Sequence, residues 1–589
     1  VFVIGTAGHV DHGKSSLVRA LTGINPDRLR EEQLREMTID LGFAWVTLPS
    51  GRDVSIVDVP GHEDFIKNML AGVGGIDLAL LVVAADEAVM PQTREHLAIL
   101  DLMRIPRGVV ALTKADLIED SDWLDLVVEE VREAIVHSSL ASAPIVPVSV
   151  VSGQGLEHLL TTIDRLLDEA KPRPDLGLPR MPIDRVFSIA GFGTVVTGTL
   201  TGGHLDVGDT VAIVPGDRIA RIRGLQSHKT QVQRATPGMR VAANLTGVTV
   251  DDLSRGQVIT APGTLAPTTL VDVYLQVVRD VPWPVRHSMP VEFFTGAASS
   301  GGRIRLLERD ELEAGEEGWA QVQLFDPIAA TRRDRFVVRM PSPSVTLGGG
   351  EIVDAHPVRR HRRNDAAVVR RLKALYEGDA AGTLLALLNQ GTPLSAAEVV
   401  RRSQLEEEAA ESAFRDLLAS GEVLALSDRP EGQPLARWTG LLMTRRDWDS
   451  VLERASLLLE QFHAAQPLRA GMSREEFRSR LGLVGEWGNG LIERAQAEGR
   501  LVPVGDVIAL PSHRVQLSTE QEKKIDRLMD LFHAAPYTPP GWSEVEAAVG
   551  TDLAQYLVES GRLVRLGDAV VFEADVIEDM VARLRQTVG

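Results

Sequence analysis

An apolar run, VFVIG, a turn with two glycines, Gly8-His-Val-Asp-His-Gly13-Lys14-Ser15, and a helical run, SSLVRALTG, follow one another at the start of the chain. This is the GxxxxGK[ST] pattern in strand–loop–helix order, and it leaves few folds open. The loop needs a strand behind it and a helix N-terminus in front. Residues Gly8, His9, Val10, Asp11, His12, Gly13, Lys14, Ser15 and Ser16 then surround a chain of phosphates at the positive end of that helix. Gly8 and Gly13 permit the tight backbone path, Lys14 reaches the β- and γ-phosphates, and the Ser15 hydroxyl ligates Mg²⁺. The alternative is a chance glycine-rich turn, and the motifs that follow weigh against it.

SIVDVPGHED comes next, an apolar strand ending at Asp58. Asp58 can hold Mg²⁺ directly or through water, the Gly61 N–H can meet the γ-phosphate, and His62 is placed to orient the attacking water. Between the two motifs, REMTIDLGF offers Thr38 to Mg²⁺ through its hydroxyl and to the γ-phosphate through its backbone. The bland reading of Thr38 is a surface-loop threonine. The charged DRLREEQLRE before it suits a switch or a solvated helix equally. Base choice falls to GVVALTKADL, where the Asp116 carboxylate accepts from guanine N1–H and N2–H₂ and the Lys114 stem packs on the ring. Guanine enzymes usually carry Asn at the place of Thr113, and threonine lacks the amide that ties base site to phosphate loop. Weaker anchoring is expected there without loss of guanine choice. PIVPVSVVSGQGL adds Ser149 and the Val150 backbone N–H near guanine O6. Four motifs in this order predict a GTPase that converts GTP to GDP.

A chain of 589 residues is too long for one core, so several domains are expected. No apolar run approaches the roughly 18 residues of a membrane span, and no signal peptide opens the chain. No membrane partner is expected. The absence of cysteine excludes disulfides and thiolate metal sites, which fits a cytoplasmic protein. A net charge of −20 argues against a whole-surface polyanion binder but leaves room for local basic patches.

AGHVDHGKSS, MTIDLGF and DVPGHEDFIKNML together resemble the translational GTPases of the elongation factor Tu group. Within it, MTIDLGF and TKAD look most like the selenocysteine-specific elongation factors. Past the proline-containing stretch KPRPDLGLPRMP, the segment IDRVFSIAGFGTVVTGTLTGGHLDVGDTV alternates apolar and polar residues between glycine turns, as barrel strands do. It resembles the second domain of these factors, and a second barrel follows to LGGGEIVDAHP. The expected fold is therefore multidomain: an α/β P-loop GTPase domain over 1–172, β-barrels over 173–265 and 266–357, then tandem winged helices. The resemblance implies a monomer that delivers selenocysteyl-tRNA to the ribosome for UGA recoding. It also implies a basic amino-acid pocket, carried here by Asp184, Arg185 and Arg240. A selenol ionises near neutral pH, so arginine donors would favour selenolate over a serine hydroxyl. The alternative is a structural Asp184–Arg185 pair at a barrel edge. Arg332, Arg333 and Arg335, with Arg359, Arg360, Arg362 and Arg363, are either phosphate contacts or solvated loops.

The remaining chain turns helical and repetitive. GLIERAQAEGRLVPVGDVIAL and QYLVESGRLVRLGDAVVFEA share a helix, a glycine turn and a two-strand wing, AFRDLLASGEVLALSD is a looser copy, and FHAA recurs at 462–465 and 532–535. Winged helices are expected over 364–440, 441–512 and 513–575, with a connector helix over 576–589. Acidic side chains outnumber basic ones across this region, so the units read mainly as a rigid arm. The resembled family carries four such units and binds an mRNA hairpin with the last. Only three are legible, so weak hairpin binding is expected. Two other functions stay open, an initiator-tRNA carrier and a nucleotide-switched winged-helix adaptor.

Overall fold

The computed structural model of the chain describes all residues except 1, 28–31, 33–37, 63–64, 171–172, 174, 192, 358, 389–391, 484–486, 568 and 589. The switch-or-helix reading of 27–36 therefore falls largely outside the described residues. The chain divides into two compact units, 1–386 with 401–410, and 387–400 with 411–589.

The first unit opens with a six-stranded sheet. In chain order its elements are β1 (Phe2–Ala7), α1 (Lys14–Thr22), β2 (Gly42–Thr47), β3 (Asp53–Asp58), α2 (Ile66–Val73), β4 (Leu78–Ala84), α3 (Pro91–Leu102), β5 (Gly108–Thr113), α4 (Ser121–Ile135), β6 (Ile145–Pro147) and α5 (Leu156–Asp168). Strands run in the order β2-β3-β1-β4-β5-β6, with only β2 antiparallel. FVIGTA, LALLVVA and GVVALT are buried along their whole length, as unbroken apolar runs in a parallel sheet covered on both faces must be. Because β1, β3, β5 and β6 are parallel, the loops after them leave from one edge of the sheet. The order reverses beside β1, and a crevice of that kind is where such sheets take ligands.

Two all-β layers follow. An antiparallel eight-stranded sheet runs Arg180–Pro182, Val258–Thr260, Thr210–Val214, Arg218–Ser227, Arg240–Thr246, Gly193–Thr199 and Arg185–Ile189, with Thr230–Val232 pairing off Arg218–Ser227. Its alternating pattern buries Val211, Ile213, Ile222, Leu225, Val241 and Leu245 together. A closed six-stranded barrel then forms from Pro267–Val277, Glu317–Ala329, Ala298–Leu306, Pro290–Thr295, Arg335–Met340 and Val345–Asp354. Phe293 and Phe336 stack inside it at 5.0 Å.

In the second unit, short antiparallel strands alternate with helix clusters. Leu394–Ser395, Leu441–Thr444 and Val423–Ala425 form one small sheet; Met472–Ser473, Val507–Ala509 and Val502–Val504 form the next; Leu563–Leu566 and Val570–Glu573 form a hairpin. The two FHAA repeats end equivalent long helices, Arg445–Ala465 and Thr519–Ala534, and bury Phe462 and Phe532. The last helix, Ala574–Val588, leaves Val581 and Leu584 exposed. Among the described residues, no helix is long and apolar enough to cross a membrane.

Candidate nucleotide site

The loop between β1 and α1 is held from behind by side chains far away in sequence. A Cβ on Gly8, whose φ is +135°, would lie 2.1 Å from the Val82 carbonyl oxygen, so only glycine fits. The Gly8 N–H donates to His96 Nδ1 at 3.0 Å, and the Val10 N–H to Gln92 Oε1 at 3.1 Å. His96 therefore presents an unprotonated Nδ1. Burial, with Lys14 nearby, pushes its pKa down to about 3. The Lys14 ammonium lies across the loop, donating to the Gly8 carbonyl at 3.0 Å and the His9 carbonyl at 2.6 Å. Its burial lowers its pKa to about 8 against the pull of Asp58, Asp11 and Asp27. His12 turns its ring inward, where Nδ1 accepts from the Ala84 N–H at 3.3 Å, so only its backbone can serve a nucleotide. Asp11, in the left-handed region with φ 62°, and Ser16, in the first turn of α1, are exposed.

Four oxygen-bearing side chains converge beside Lys14. Ser15 Oγ donates to Asp58 Oδ2 at 2.7 Å and lies 2.8 Å from Thr38 Oγ1; Thr38 Oγ1 donates to Asp27 Oδ1 at 2.8 Å. Thr6 Oγ1 donates to Asp58 Oδ1 at 2.8 Å. Burial raises Asp58 to about 6 despite the Ser15 and Thr6 hydrogen bonds, and it raises Asp27 as well. Thr38 is buried, so the surface-loop reading fails. Hard oxygens this close together fit Mg²⁺, which takes a few protein oxygens and completes its shell with phosphate and water. Asp27 is a member of the set that no motif announces. It sits eleven residues before Thr38, with nothing local to set it apart from other loop carboxylates.

The loop after β3 closes onto the same place. A Cβ on Gly61 would lie 2.3 Å from Lys14 Nζ and 2.8 Å from the Val10 nitrogen. His62 is half-buried, its ring 5.9 Å from that of Phe65. At the base end, Thr113 is buried and its hydroxyl donates to the His12 carbonyl at 2.7 Å. Threonine lacks the amide usual at this place, but its shorter side chain still ties β5 to the phosphate loop. Lys114, at φ 56°, pairs with Asp86 at 3.1 Å and Glu87 at 3.4 Å, and Asp116 is exposed beside it. Ser149 is buried with its hydroxyl accepting from the Ser152 N–H at 3.1 Å, and Val150 is exposed.

Asp184, Arg185 and Arg240 come together against Phe43 of β2. Asp184 accepts both Arg240 Nη atoms, at 2.7 and 2.9 Å, and the Thr197 hydroxyl at 2.7 Å. The Arg240 and Arg185 guanidinium carbons lie 3.4 and 4.7 Å from the Phe43 ring centre. Arg185 does not pair with Asp184. It reaches the segment after Thr38, where Nε meets Asp40 Oδ2 at 3.0 Å and Nη2 meets the Leu41 carbonyl. Two other arginines proposed for phosphate are structural. Arg332 is buried and donates to the Leu375 and Ser403 carbonyls, and Arg335 caps the C-terminal carbonyl of α3 at Leu102. Arg363 is tied to Asp310, while Arg333, Arg359 and Arg362 are exposed.

A mostly parallel sheet with this loop and this set of hard oxygens defines a P-loop GTPase domain. The family profile for the elongation factor Tu GTP binding domain matches residues 1–169, and that for elongation factor Tu domain 2 matches 193–260. Profiles for the selenocysteine-specific elongation factor β-barrel domain and the elongation factor SelB winged helix match 272–359 and 457–510. The chain is 38% identical to a selenocysteine-specific elongation factor of Desulfomicrobium baculatum, over 99% of this chain and 92% of that one. It is 34% identical to the factor of that name from Escherichia coli (strain K12), over 91% and 82%. A crystal structure of bacterial selenocysteine-specific elongation factor EF-Sec aligns over 100% of this chain and 92% of its own, with TM-score 0.75 and 25% identity. SelB from Methanococcus maripaludis, in complex with the GTP analogue GppNHp, aligns over 61% and 80%, with TM-score 0.53 and 28% identity. The chain belongs to the family of selenocysteine-specific elongation factors.

Proposed function

We propose that this chain binds GTP with Mg²⁺, carries selenocysteyl-tRNA to the ribosome at a UGA codon, and hydrolyses GTP to release it. The amide groups of Gly8 to Ser16 cradle the phosphates, Lys14 neutralises the β- and γ-oxygens, and Ser15, Thr38 and Asp58 hold the metal. Bound Mg²⁺ would spread the charge that builds on the phosphates. Asp116 reads guanine, while Ser149 and the Val150 N–H meet its O6. His62 orients the water that attacks the γ-phosphorus, with Gly61 reporting the phosphate to its loop. On this reading the modules are 1–172, 173–265, 266–357, 364–440, 441–512 and 513–575, acting as a monomer in the cytoplasm with the winged helices as the arm towards an mRNA hairpin.

The observation that carries the choice of cargo is the Asp184–Arg240–Arg185 cluster on Phe43. Its guanidinium groups offer charge-assisted donors to a selenolate, and a neutral serine hydroxyl gains much less from them. Binding of selenocysteyl-tRNA and seryl-tRNA carrying the same tRNA body tests it, with GTP present. A clear preference for the first is expected. Equal binding would overturn the pocket, and no binding of any aminoacyl-tRNA would leave the adaptor reading.

A further inference from the structure

The segment 38–41 is held at two ends at once. At one end the Thr38 hydroxyl sits on Ser15 and Asp27, within the metal-type oxygen set. At the other, the Asp40 carboxylate receives Arg185 Nε at 3.0 Å and Nη2 at 2.9 Å, and the Leu41 carbonyl takes Nη2 as well. Two residues of backbone join these ends, and that backbone is itself fixed. The Ile39 and Asp40 N–H groups donate to the buried Glu32 carboxylate at 3.1 and 3.0 Å. Asn68 Nδ2, on α2, donates to the Ile39 carbonyl at 2.7 Å. Arg255 Nη1 donates to Asn68 Oδ1 at 2.7 Å and stands 3.9 Å from Asp40 Oδ1. Residues 38–41, α2 and the domain of the eight-stranded sheet therefore meet around Asp40.

We propose that Asp40 is a positioning residue that transmits the nucleotide state to the amino-acid pocket through Arg185. The inference rests on the reading of Asp184, Arg185 and Arg240 as the pocket for an anionic side chain. Asp40 engages Arg185 through Nε and Nη2, which sets the guanidinium plane over Phe43 beside Arg240 and directs Nη1 away from the carboxylate. Arg240 needs no such help, because Asp184 grips it bidentately within its own sheet. Arg185 has its carboxylate partner on the other domain. When Thr38 joins the metal site, Asp40 stands where Arg185 requires it; when GTP becomes GDP and Thr38 lets go, Asp40 leaves with it. The pocket then loses one of two oriented donors. Linkage makes the effect reciprocal, so a selenocysteyl-tRNA seated on Arg185 should tighten GTP.

The test is equilibrium binding of selenocysteyl- and seryl-tRNA to the full chain with a non-hydrolysable GTP analogue and with GDP, for wild type, Asp40→Asn, Asp40→Glu and Arg185→Ala. Asp40→Asn keeps the shape and removes the charge. It is expected to weaken selenocysteyl-tRNA about tenfold with the GTP analogue, the difference between a charge-assisted and a neutral contact. It should change little with GDP, so the ratio between nucleotide states shrinks. Asp40→Glu should restore most of the ratio. A uniform loss in both nucleotide states, an equal loss for both tRNAs, or no loss at all would overturn the coupling. Arg185→Ala separates the two layers. If it leaves selenocysteyl over seryl preference intact, the pocket reading has failed. If it abolishes the preference while Asp40→Asn keeps the wild-type ratio, only the coupling has failed.

Discussion

Thr113 offers a measurable link between the two ends of the nucleotide site. Its hydroxyl donates to the His12 carbonyl at 2.7 Å, and the two residues are 2% and 0% exposed. Replacing it by valine keeps the branched shape and the packing, and removes the donor alone. A buried neutral hydrogen bond is worth about 0.5–1.5 kcal/mol net, and leaving its acceptor short of a partner costs about 1–3 kcal/mol. His12 immediately precedes Gly13 and Lys14, so a looser His12 carbonyl loosens the turn that the phosphates must order. About 1.4 kcal/mol of that cost should appear in binding, which is about tenfold in Kd. GTP and GDP should weaken alike, since the turn serves both. Thr113→Ser retains the hydroxyl and should stay within about twofold of wild type. Titration calorimetry of the three proteins with each nucleotide decides the matter. If valine and serine variants bind alike, the Thr113 hydroxyl contributes nothing to nucleotide binding and the bridge is refuted.

Four further outcomes are expected. His62→Ala should spare GTP binding and depress ribosome-stimulated hydrolysis by about 10²-fold, as loss of a water-orienting group does; single-turnover phosphate release reads this directly. Asp116→Asn should relax the preference for guanine, measured as the ratio of GTP to inosine- and xanthosine-triphosphate affinities. Asp354 accepts from Arg371 at 3.0 Å and Arg402 at 3.1 Å, and although burial opposes it, these arginines hold its carboxyl below the ordinary range. Asp354→Ala should leave Arg402 without a carboxylate and Arg371 with Asp272 alone, at 3.0 Å, and cost about 3 kcal/mol locally, read as faster amide exchange in the helix Ala366–Glu377. His228, on the turn after Arg218–Ser227, lies 2.7 Å from the Ser55 hydroxyl and stacks on Trp45 of β2 at 5.8 Å. Burial lowers its pKa below 6.5, so this docking contact is at full strength above about pH 6.5 and weakens as the pH falls through the lowered value. Amide exchange in β3 should rise over that acid range in wild type, and the rise should flatten in His228→Gln.

The nucleotide site was legible where its chemistry is carried by short runs of chain. Gly8, Lys14 and Ser15 occupy one turn, and Asp58 to His62 occupy another, so spacing alone announces them. Four residues that complete this site and the neighbouring arginine cluster come from elsewhere. His96 and Gln92 lie on α3 and brace a loop more than eighty residues away, and Asp27 and Asp40 are ordinary loop carboxylates until Thr38 and Arg185 come near them. The arginine clusters show the same limit from the other side. In sequence Arg332 and Arg333 are adjacent and equivalent; in the fold one is buried against helix carbonyls and the other is exposed.

By itself the sequence determined the class of fold and the phosphate chemistry, because strand period, glycine placement and motif order are local properties of the backbone. Only the tertiary structure decided which hydroxyl ties β5 to the phosphate loop, which carboxylates gather around Ser15, and which domain supplies the partner of Arg185. Those choices depend on burial and on distances between segments far apart in the chain, and no local pattern encodes either.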